Sequence, residues 1–221
     1  EYKAILGFFG KFIYHFMFSI TSLISNFVSC RNYILRGKKG EVIRPSQLDS
    51  TWFKNAKNIE IKNFKLLYVG RIRKEKGIFS LIDIVKNKRE ISLTIVGAEH
   101  KFFNNLNFKN INIYQNETNK LKLIKFYDEH NIFILPSYTE GYPMVILESL
   151  ARRRPVIIFD DIKHLISKHK GVFVSKRNFV SLFGTLNYIK KNYSKIQKEI
   201  KKNNLPTKSE FISDLNNLIS K

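Results

Sequence analysis

The chain has 221 residues and a formal net charge of +21, from 39 Lys and Arg against 18 Asp and Glu. Because 43% of its residues are hydrophobic and 14% are aromatic, it has enough apolar material for a packed core and is not a disordered protein. Its single cysteine, Cys30, excludes an internal disulfide and is typical of a reducing compartment. An anionic partner and lysines spread over solvated surfaces explain the charge equally well.

Residues 4–30 are the most apolar segment, and the 19 residues from Phe12 to Cys30 contain no Asp, Glu, Lys or Arg. That length is at the lower limit for a membrane-spanning helix, but Ser, Thr and Asn interrupt the apolar run. Three interpretations are open at this point: a spanning helix, a helix lying on a membrane, and a buried helix followed by a strand. No small-x-small cleavage site is evident, so the segment does not resemble a cleaved signal.

Residues 37–64 are polar and irregular, which predicts an interdomain connection, and after them short apolar strands alternate with helical stretches. The predicted strands are Lys65–Gly70, Ile91–Gly97, Ile111–Tyr114, Ile132–Pro136, Pro155–Phe159 and Val172–Ser175. The predicted helices are Gly77–Lys86, Glu117–Glu129, Pro143–Arg152, Ile162–Lys168, Asn178–Asn192 and two more in Tyr193–Lys221. This alternation predicts an α/β fold with a doubly wound parallel sheet.

The loops after the first and fourth predicted strands are expected to lie side by side. In a sheet of strand order 3-2-1-4-5-6, ligands bind beyond the carboxyl ends of strands 1 and 4, where the order reverses. Those strands end at Gly70 and Pro136, and the loops that follow are Arg71–Gly77 and Ser137–Tyr142. The candidate site is therefore the meeting point of these two loops.

Each loop has side chains suited to a nucleotide. The first has four cations within six residues, at the start of a predicted helix, which favours a diphosphate site over the plain alternative of a solvated turn. Glu140 lies in the second loop, and Glu148 stands in the apolar run MVILESLA, where a carboxylate needs a polar partner. A ribose diol is such a partner, and a neighbouring lysine is the alternative.

These segments resemble a known family. LYVGRIRKEKGIFSLI, LTIVG and FILPSYTEGYPMVILESLARRRPVI are similar to segments of glycosyltransferase family four, whose members are retaining enzymes that use nucleotide sugars. The family hallmark, two glutamates with seven residues between them, is present as Glu140 and Glu148. The resemblance covers residues 41–176 and implies a GT-B fold, in which the active site lies between two Rossmann-like domains.

The resemblance implies that Arg71, Lys76 and Glu140 are the catalytic residues. Arg71 and Lys76 match the pair that neutralises the departing diphosphate, and Glu140 matches the acid that holds hydroxyls of the donor sugar. The catalytic demand is then charge stabilisation and positioning, because the diphosphate itself is thought to help deprotonate the acceptor. No cofactor is implied beyond a UDP- or GDP-sugar substrate, and no metal is expected, since the sequence has no Asp-x-Asp.

The same resemblance implies the remaining contacts of the nucleotide sugar. Glu148 matches the ribose ligand, and the backbone around Gly141 and Tyr142 would assist Glu140. The backbone near Tyr114–Asn116 would face the base. Nucleotide-sugar binding is therefore assigned to Arg71, Lys76, Glu140, Gly141, Tyr142 and Glu148.

The chain departs from the family pattern at two places. Arg153 stands where the family usually has a glycine in a left-handed turn, at a cost of about 1 kcal/mol if that turn is kept. The glycine-rich turn and acid that usually follow the fifth strand are replaced by residues 160–164, DDIKH. Diphosphate contacts from that loop are therefore in doubt.

The resemblance also predicts how the chain is divided. Residues 1–50 are interpreted as a remnant of the N-terminal acceptor domain plus the connection, 51–205 as the nucleotide-sugar-binding domain, and 206–221 as a C-terminal helix. Phe27–Cys30, Arg31–Gly37 and Glu41–Pro45 then correspond to the last strand and helix of the first domain and the crossing into the second. This favours the helix-plus-strand interpretation of residues 4–30.

The predicted function is transfer of a sugar from a nucleoside diphosphate sugar, with retention, in the synthesis of a bacterial surface polysaccharide or lipopolysaccharide. The expected partners are the nucleotide sugar, a saccharide or lipid-linked acceptor, and an anionic membrane surface, with no nucleic acid. The expected location is cytoplasmic and peripheral on the inner leaflet. The alternatives are an epimerase-like GT-B relative, a catalytically incomplete remnant that binds nucleotide or membrane, and a nucleic-acid-binding protein suggested by the charge and the 10 Tyr and 19 Phe.

Overall fold

A computed structural model describes residues 2–25, 27–35, 37, 39–98, 108–166 and 169–220. Its elements are α1 (Tyr2–Ile24), β1 (Phe27–Ser29), α2 (Asn32–Leu35), β2 (Gly40–Val42), α3 (Ser50–Phe53), β3 (Phe64–Val69), α4 (Ile78–Val85), β4 (Ile91–Ala98), β5 (Ile111–Gln115), α5 (Lys120–Glu129), β6 (Ile132–Leu135), α6 (Met144–Ala151), β7 (Val156–Phe159), β8 (Val172–Ser175), α7 (Phe179–Lys191), α8 (Tyr193–Ile200) and α9 (Lys208–Ile219). Two 3-10 helices cover Lys74–Lys76 and Asp160–Leu165. The chain divides into two compact units, Glu1–Ser46 with Pro206–Lys221, and Gln47–Leu205.

The larger unit is built on a six-stranded parallel sheet of order β5-β4-β3-β6-β7-β8. Counted from β3, this is the order 3-2-1-4-5-6, and the six predicted strands are confirmed to within one residue at each end. The two central strands β3 and β6 pair in register at Leu66 and Ile132. Every residue of β6 and of β7 is buried, because helices cover both faces of the sheet. The crevice that the topology predicts therefore lies beyond β3 and β6.

In the smaller unit a helix precedes a strand, as the helix-plus-strand interpretation predicts, and β1 pairs with β2 in parallel. The expected burial of that helix is wrong, because many of its large apolar side chains are exposed. They are Phe8, Phe9, Phe12, Ile13, Phe16, Met17, Ile20 and Leu23. Of the helices that the structure describes, none combines the length and the apolar character needed to cross a membrane.

Two local predictions are wrong. The α-helix predicted over Ile162–Lys168 is not present: Asp160–Leu165 is a 3-10 helix in which Ile162 (φ −115°, ψ 24°) leaves helical geometry, and residues 167–168 lie outside the described residues. The stretch 37–64 is not wholly irregular, because it contains β2 and α3. Asp49 caps α3 by accepting a hydrogen bond from the Thr51 backbone at 3.0 Å. Elements of three or four residues are too short to produce a periodic pattern.

Three consecutive arginines, 152–154, lie between α6 and β7, at the amino ends of the strands. Arg152 and Arg154 are both 2% exposed. Arg152 donates to both carboxylate oxygens of Asp128, at 2.9 and 2.7 Å, and to backbone carbonyl oxygens of residues 52, 54 and 55. Arg154 donates to backbone carbonyl oxygens of residues 57, 127 and 128. Between them, Arg153 has φ 58°, so the left-handed turn that usually holds glycine is kept here with an arginine.

Candidate active site

Gly77 allows the two candidate loops to meet at the carboxyl edge of the sheet. Its φ is 65°, in the left-handed region, and it separates the 3-10 helix Lys74–Lys76 from α4. A Cβ at this position would lie 1.9 Å from the carbonyl oxygen of Pro136, the residue directly after β6. Only glycine has both the conformation and the space. The cationic loop therefore rests directly on the backbone of the second loop.

Lys76 and Glu140 form the centre of the site. The Lys76 Nζ lies 2.7 Å from Glu140 Oε1, and the two side chains are 22% and 11% exposed. The Ser137 hydroxyl donates to the same carboxylate oxygen at 2.7 Å. A backbone bond from Tyr138 N to the Glu75 carbonyl oxygen, 3.0 Å long, ties the loops together a second time. Two residues separated by 64 positions are thus held in contact, in the crevice that the topology predicts.

Arg71 lies at the exposed start of the first loop, above a buried tyrosine. The Tyr68 hydroxyl donates to the Arg71 carbonyl oxygen at 2.8 Å. Burial raises the pKa of the Tyr68 phenol, the charge of Glu140 raises it further, and the Arg71 charge lowers it. The phenol therefore stays a donor and anchors the loop. Within the described residues the Arg71 guanidinium has no carboxylate at ion-pair distance, which leaves it available to an anion.

Among the residues that the structure describes, the partner of Glu148 is a tyrosine and not the lysine of the alternative interpretation. The Tyr127 hydroxyl, on α5, donates to Glu148 Oε2 at 2.8 Å. Burial raises the pKa of Glu148, and the hydrogen bond from Tyr127 partly opposes that rise. Tyr127 itself is fully buried, and this burial is the main reason that its pKa is raised well above its ordinary value. This leaves a half-buried carboxylate with one of its oxygens held by a neutral donor.

Gly141 and Tyr142 complete the second loop. Gly141 is exposed, and a Cβ there would meet no atom within 4 Å, so the space beside its backbone is open. Tyr142 is half-buried and packs against the core. The loop thus presents open backbone beside Glu140 while its end is attached to the core.

Arg177 lies beside the two loops, and the sequence pattern did not single it out. Its guanidinium donates to Asp161 Oδ2 from Nε at 3.1 Å and from Nη2 at 2.5 Å. Nη1 donates to Ser80 Oγ and to the Pro136 carbonyl oxygen, both at 2.8 Å, and Nη2 to the Ser137 carbonyl oxygen at 3.4 Å. Asp161 belongs to DDIKH, the segment that replaces the usual glycine-rich turn. Another member of that segment, His164, has Nε2 3.2 Å from the Glu140 carbonyl oxygen.

Local sequence signals account for some of these residues and not for others. Ser137 follows directly after a buried strand, so its position could have marked it. Tyr127, Arg177 and Asp161 have no such signal, because their partners lie 16 to 97 positions away along the chain.

The structure thus has a doubly wound parallel sheet with a cationic loop and an acidic loop at its switch point, the place where α/β domains of this class bind ligands. The chain belongs to the family described as Glycosyl transferases group 1, whose model matches residues 49–206. It is similar to CapM of Staphylococcus aureus, a capsular polysaccharide biosynthesis glycosyltransferase, with 29% identity over 134 residues, covering 54% of this chain and 35% of CapM. It is also 29% identical over 118 residues to TuaC of Bacillus subtilis, provisionally named a teichuronic acid biosynthesis glycosyltransferase, covering 52% of this chain and 30% of TuaC.

The fold is that of the GT-B glycosyltransferases. HepE of Anabaena, solved in complex with UDP and glucose, superposes with a TM-score of 0.66 at 12% identity, covering 92% of this chain and 65% of HepE. The chain spans about a third of the length of the curated relatives it matches, which is 30% for TuaC and 35% for CapM.

Proposed function

We propose that this chain is the donor-binding half of a retaining glycosyltransferase that uses a nucleoside diphosphate sugar. The observation that carries the proposal is the contact of Lys76 with Glu140 at the switch point of the sheet. Gln47–Leu205 is the donor-binding domain in this proposal, and residues 1–46 contain part of the acceptor half. The similarity of the fold to HepE, which was solved with UDP and glucose, supports a UDP-sugar as the first donor to test, ahead of a GDP-sugar.

In the proposed complex, each charged side chain has a distinct partner on the donor. Arg71 and Lys76 neutralise the diphosphate as it leaves, a task that requires no metal ion. Glu140 accepts hydrogen bonds from sugar hydroxyls, and its contacts with Lys76 and Ser137 hold it in place for this. Glu148 accepts hydrogen bonds from the ribose. Open backbone at Gly141 and Tyr142 faces the sugar and phosphate oxygens.

Calorimetric titration with UDP, UDP-glucose, GDP and GDP-mannose tests donor binding. We expect binding that is unchanged by EDTA, and a loss of about 1.5–3 kcal/mol for each of Arg71→Ala and Lys76→Ala, because charged hydrogen bonds to the diphosphate are lost. Arg89→Ala is the matched control, since Arg89 is exposed and lies at the other end of the strands. Equal affinity of the wild type and the Arg71→Ala, Lys76→Ala double variant would refute the assignment.

The two glutamates are separated by comparing UDP with UDP-glucose. Glu148→Ala should weaken both ligands, because both contain the ribose. Glu140→Ala should leave UDP binding nearly unchanged and remove the contribution of the glucose. If Glu140→Ala weakens both ligands and Glu148→Ala removes only the contribution of the glucose, the roles of the two glutamates are reversed.

We further propose an acceptor used in the synthesis of a bacterial surface polysaccharide, with the chain attached peripherally to the cytoplasmic leaflet. CapM supports the pathway class, and the exposed aromatic side chains of α1 together with the net charge of +21 support the attachment. Each Lys or Arg near an anionic bilayer contributes about 1 kcal/mol, which salt screens.

Vesicle flotation tests the attachment. Binding to anionic vesicles at low salt, weak binding to neutral ones and release at high salt are expected. The double variant Phe12→Ser, Phe16→Ser should float less, since both side chains are exposed. Failure of the wild type to float with anionic vesicles at low salt would end this proposal. Tight binding to single-stranded DNA with no response to lipid charge would instead favour the nucleic-acid alternative.

A further inference from the structure

The guanidinium of Arg177 has no hydrogen-bond donor left for a ligand. Arginine has five N–H donors, and acceptors are present for all of them. Its charge is matched by Asp161, and its side chain is only 16% exposed. Its two aromatic neighbours are the rings of Tyr138 at 3.9 Å and Phe159 at 4.5 Å from the guanidinium carbon. A cation held in this way does not bind the diphosphate directly, although it lies at the edge of the donor site.

The acceptors of Arg177 come from the segments that carry the donor-site residues. Ser80 is on the first turn of α4, which the cationic loop precedes. The carbonyl oxygens of Pro136 and Ser137 begin the loop that carries Glu140. The contact is close enough that a Cβ at Gly77 would lie 2.9 Å from Arg177 Nη1. One side chain thus joins the start of α4, the end of β6 and the 3-10 helix after β7.

We propose that Arg177, held by Asp161, is a positioning residue that sets the spacing between Lys76 and Glu140. The inference rests on the proposed function, because the spacing matters only if the two side chains bind one donor. Ser80, which accepts from Arg177, donates to the carbonyl oxygen of Gly77, the residue after Lys76. Ser137, whose carbonyl oxygen accepts from Arg177, donates to the Glu140 carboxylate, so Arg177 is linked to both members of the pair. The DDIKH segment, which lacks the usual glycine-rich turn, then has a function of its own: Asp161 supplies the counter-charge that holds Arg177.

Lysine at position 177 is the informative substitution. It keeps the positive charge but has three donors in place of five and no planar group to stack on Tyr138. We expect amide hydrogen exchange of the ligand-free protein to rise about tenfold in residues 74–80 and 137–142 of Arg177→Lys, as for a locally loosened segment. Asp161→Asn should have a smaller effect in the same two segments. It also keeps the proposal testable if the lysine variant does not fold.

Arg152→Lys is the matched control, because Arg152 is also buried, also pairs with an aspartate and also has acceptors for five donors. It should speed exchange in residues 52–58 and leave both donor-site loops unchanged. Unchanged exchange in the two loops of Arg177→Lys would overturn the proposal. So would an equal increase in those loops for Arg152→Lys, because the effect would then be general loosening.

Ligand binding supplies the second measurement. Arg177→Lys should weaken UDP-glucose about tenfold and UDP less, because the flexible Lys76 still reaches the phosphates while Glu140 is displaced from the sugar. An equal loss for both ligands would contradict the proposed effect on spacing. If the wild type binds none of UDP, UDP-glucose, GDP and GDP-mannose, the proposed function fails, and the exchange result alone decides whether Arg177 anchors the loops.

Discussion

Arg152 and Arg177 make nearly the same set of hydrogen bonds at opposite ends of the parallel strands, which are called here the amino edge and the carboxyl edge of the sheet. Each donates to an aspartate and to backbone carbonyl oxygens, and each has acceptors for five N–H groups. They differ in what they join. Arg152 fastens the segment 52–55 to α5 and is 2% exposed, whereas Arg177 joins loops around a crevice and its side chain is 16% exposed.

The same type of hydrogen-bonded arginine therefore has a structural role at one position and a proposed functional role at the other. At the amino edge, Arg152 fixes the backbone of residues 52–55 to Asp128 of α5, so this arginine stabilises the fold. At the carboxyl ends of the strands, the segments that Arg177 joins carry Lys76 and Glu140, so the same kind of contacts sets the distance between two residues of the proposed donor site. Changes at the two edges should therefore affect different measurements.

The largest expected effect is at the amino edge. Arg152→Met should lower the free energy of unfolding by about 3–5 kcal/mol, because Asp128 and three carbonyl oxygens lose a buried partner. Denaturant titration measures this loss, and the surviving folded protein should bind the donor as the wild type does. A loss below about 1 kcal/mol would show that water readily replaces the arginine and that Arg152 contributes little to the stability of the fold.

A smaller effect is expected at the carboxyl edge, from Gly77→Ala. The new Cβ would meet the Pro136 carbonyl oxygen at 1.9 Å, in a backbone conformation with φ 65°. The strain and the clash together should cost about 2–4 kcal/mol of stability and also weaken donor binding. Gly184→Ala is the control, because that helical glycine has open space around it and alanine there should stabilise by about 0.5–1 kcal/mol. Equal stability of the two variants would contradict the close approach of the loops.

The next effect depends on pH. Burial raises the pKa of Glu148 above its ordinary 4.5, so the folded state retains a proton that the unfolded state has lost. As pH rises from 4.5 through the folded pKa, this group therefore lowers the stability of the wild type. Glu148→Gln removes the titration, so its stability relative to the wild type should increase over that interval and then level off. Thermal unfolding at several pH values measures the difference, and parallel curves would show that Glu148 titrates normally.

The smallest effect is expected at Arg153, between the two arginines of the amino edge. Glycine adopts its left-handed conformation without strain, so Arg153→Gly should raise stability by about 0.5–1 kcal/mol. The bond from Arg153 to Asn58, 3.2 Å long, is exposed and subtracts little. Arg153→Ala loses the same hydrogen bond to Asn58 but keeps the backbone strain, so it should not be stabilised. If alanine also raises stability, relief of backbone strain is not the cause of the effect of glycine.

The sheet and the heart of the site could be predicted because both follow from local patterns and one topological rule. Apolar runs identify the strands, their order places two loops together, and Lys76 meets Glu140 as a result. The 3-10 form of 160–165 could not be predicted, since DDIKHL contains no Gly or Pro that would mark a break, and its contacts with Arg177 and with the Glu140 backbone are long-range. The Arg177 and Tyr127 contacts depend on long-range packing, for which a single sequence carries no periodic signal.

The chain's one tryptophan, Trp52, lies next to Arg152 and next to Tyr127, the partner of Glu148. Trp52 is 3% exposed, its carbonyl oxygen accepts a hydrogen bond from Arg152, and its ring lies edge-on to Tyr127, 5.7 Å between centroids. Tyr127 in turn donates to Glu148. The fluorescence of this single indole therefore reports the Arg152 contacts directly, and it reports Glu148, the proposed ribose ligand, through the ring of Tyr127. Its emission maximum is expected to report unfolding, and its quenching is expected to report binding of the proposed donor, without any added label.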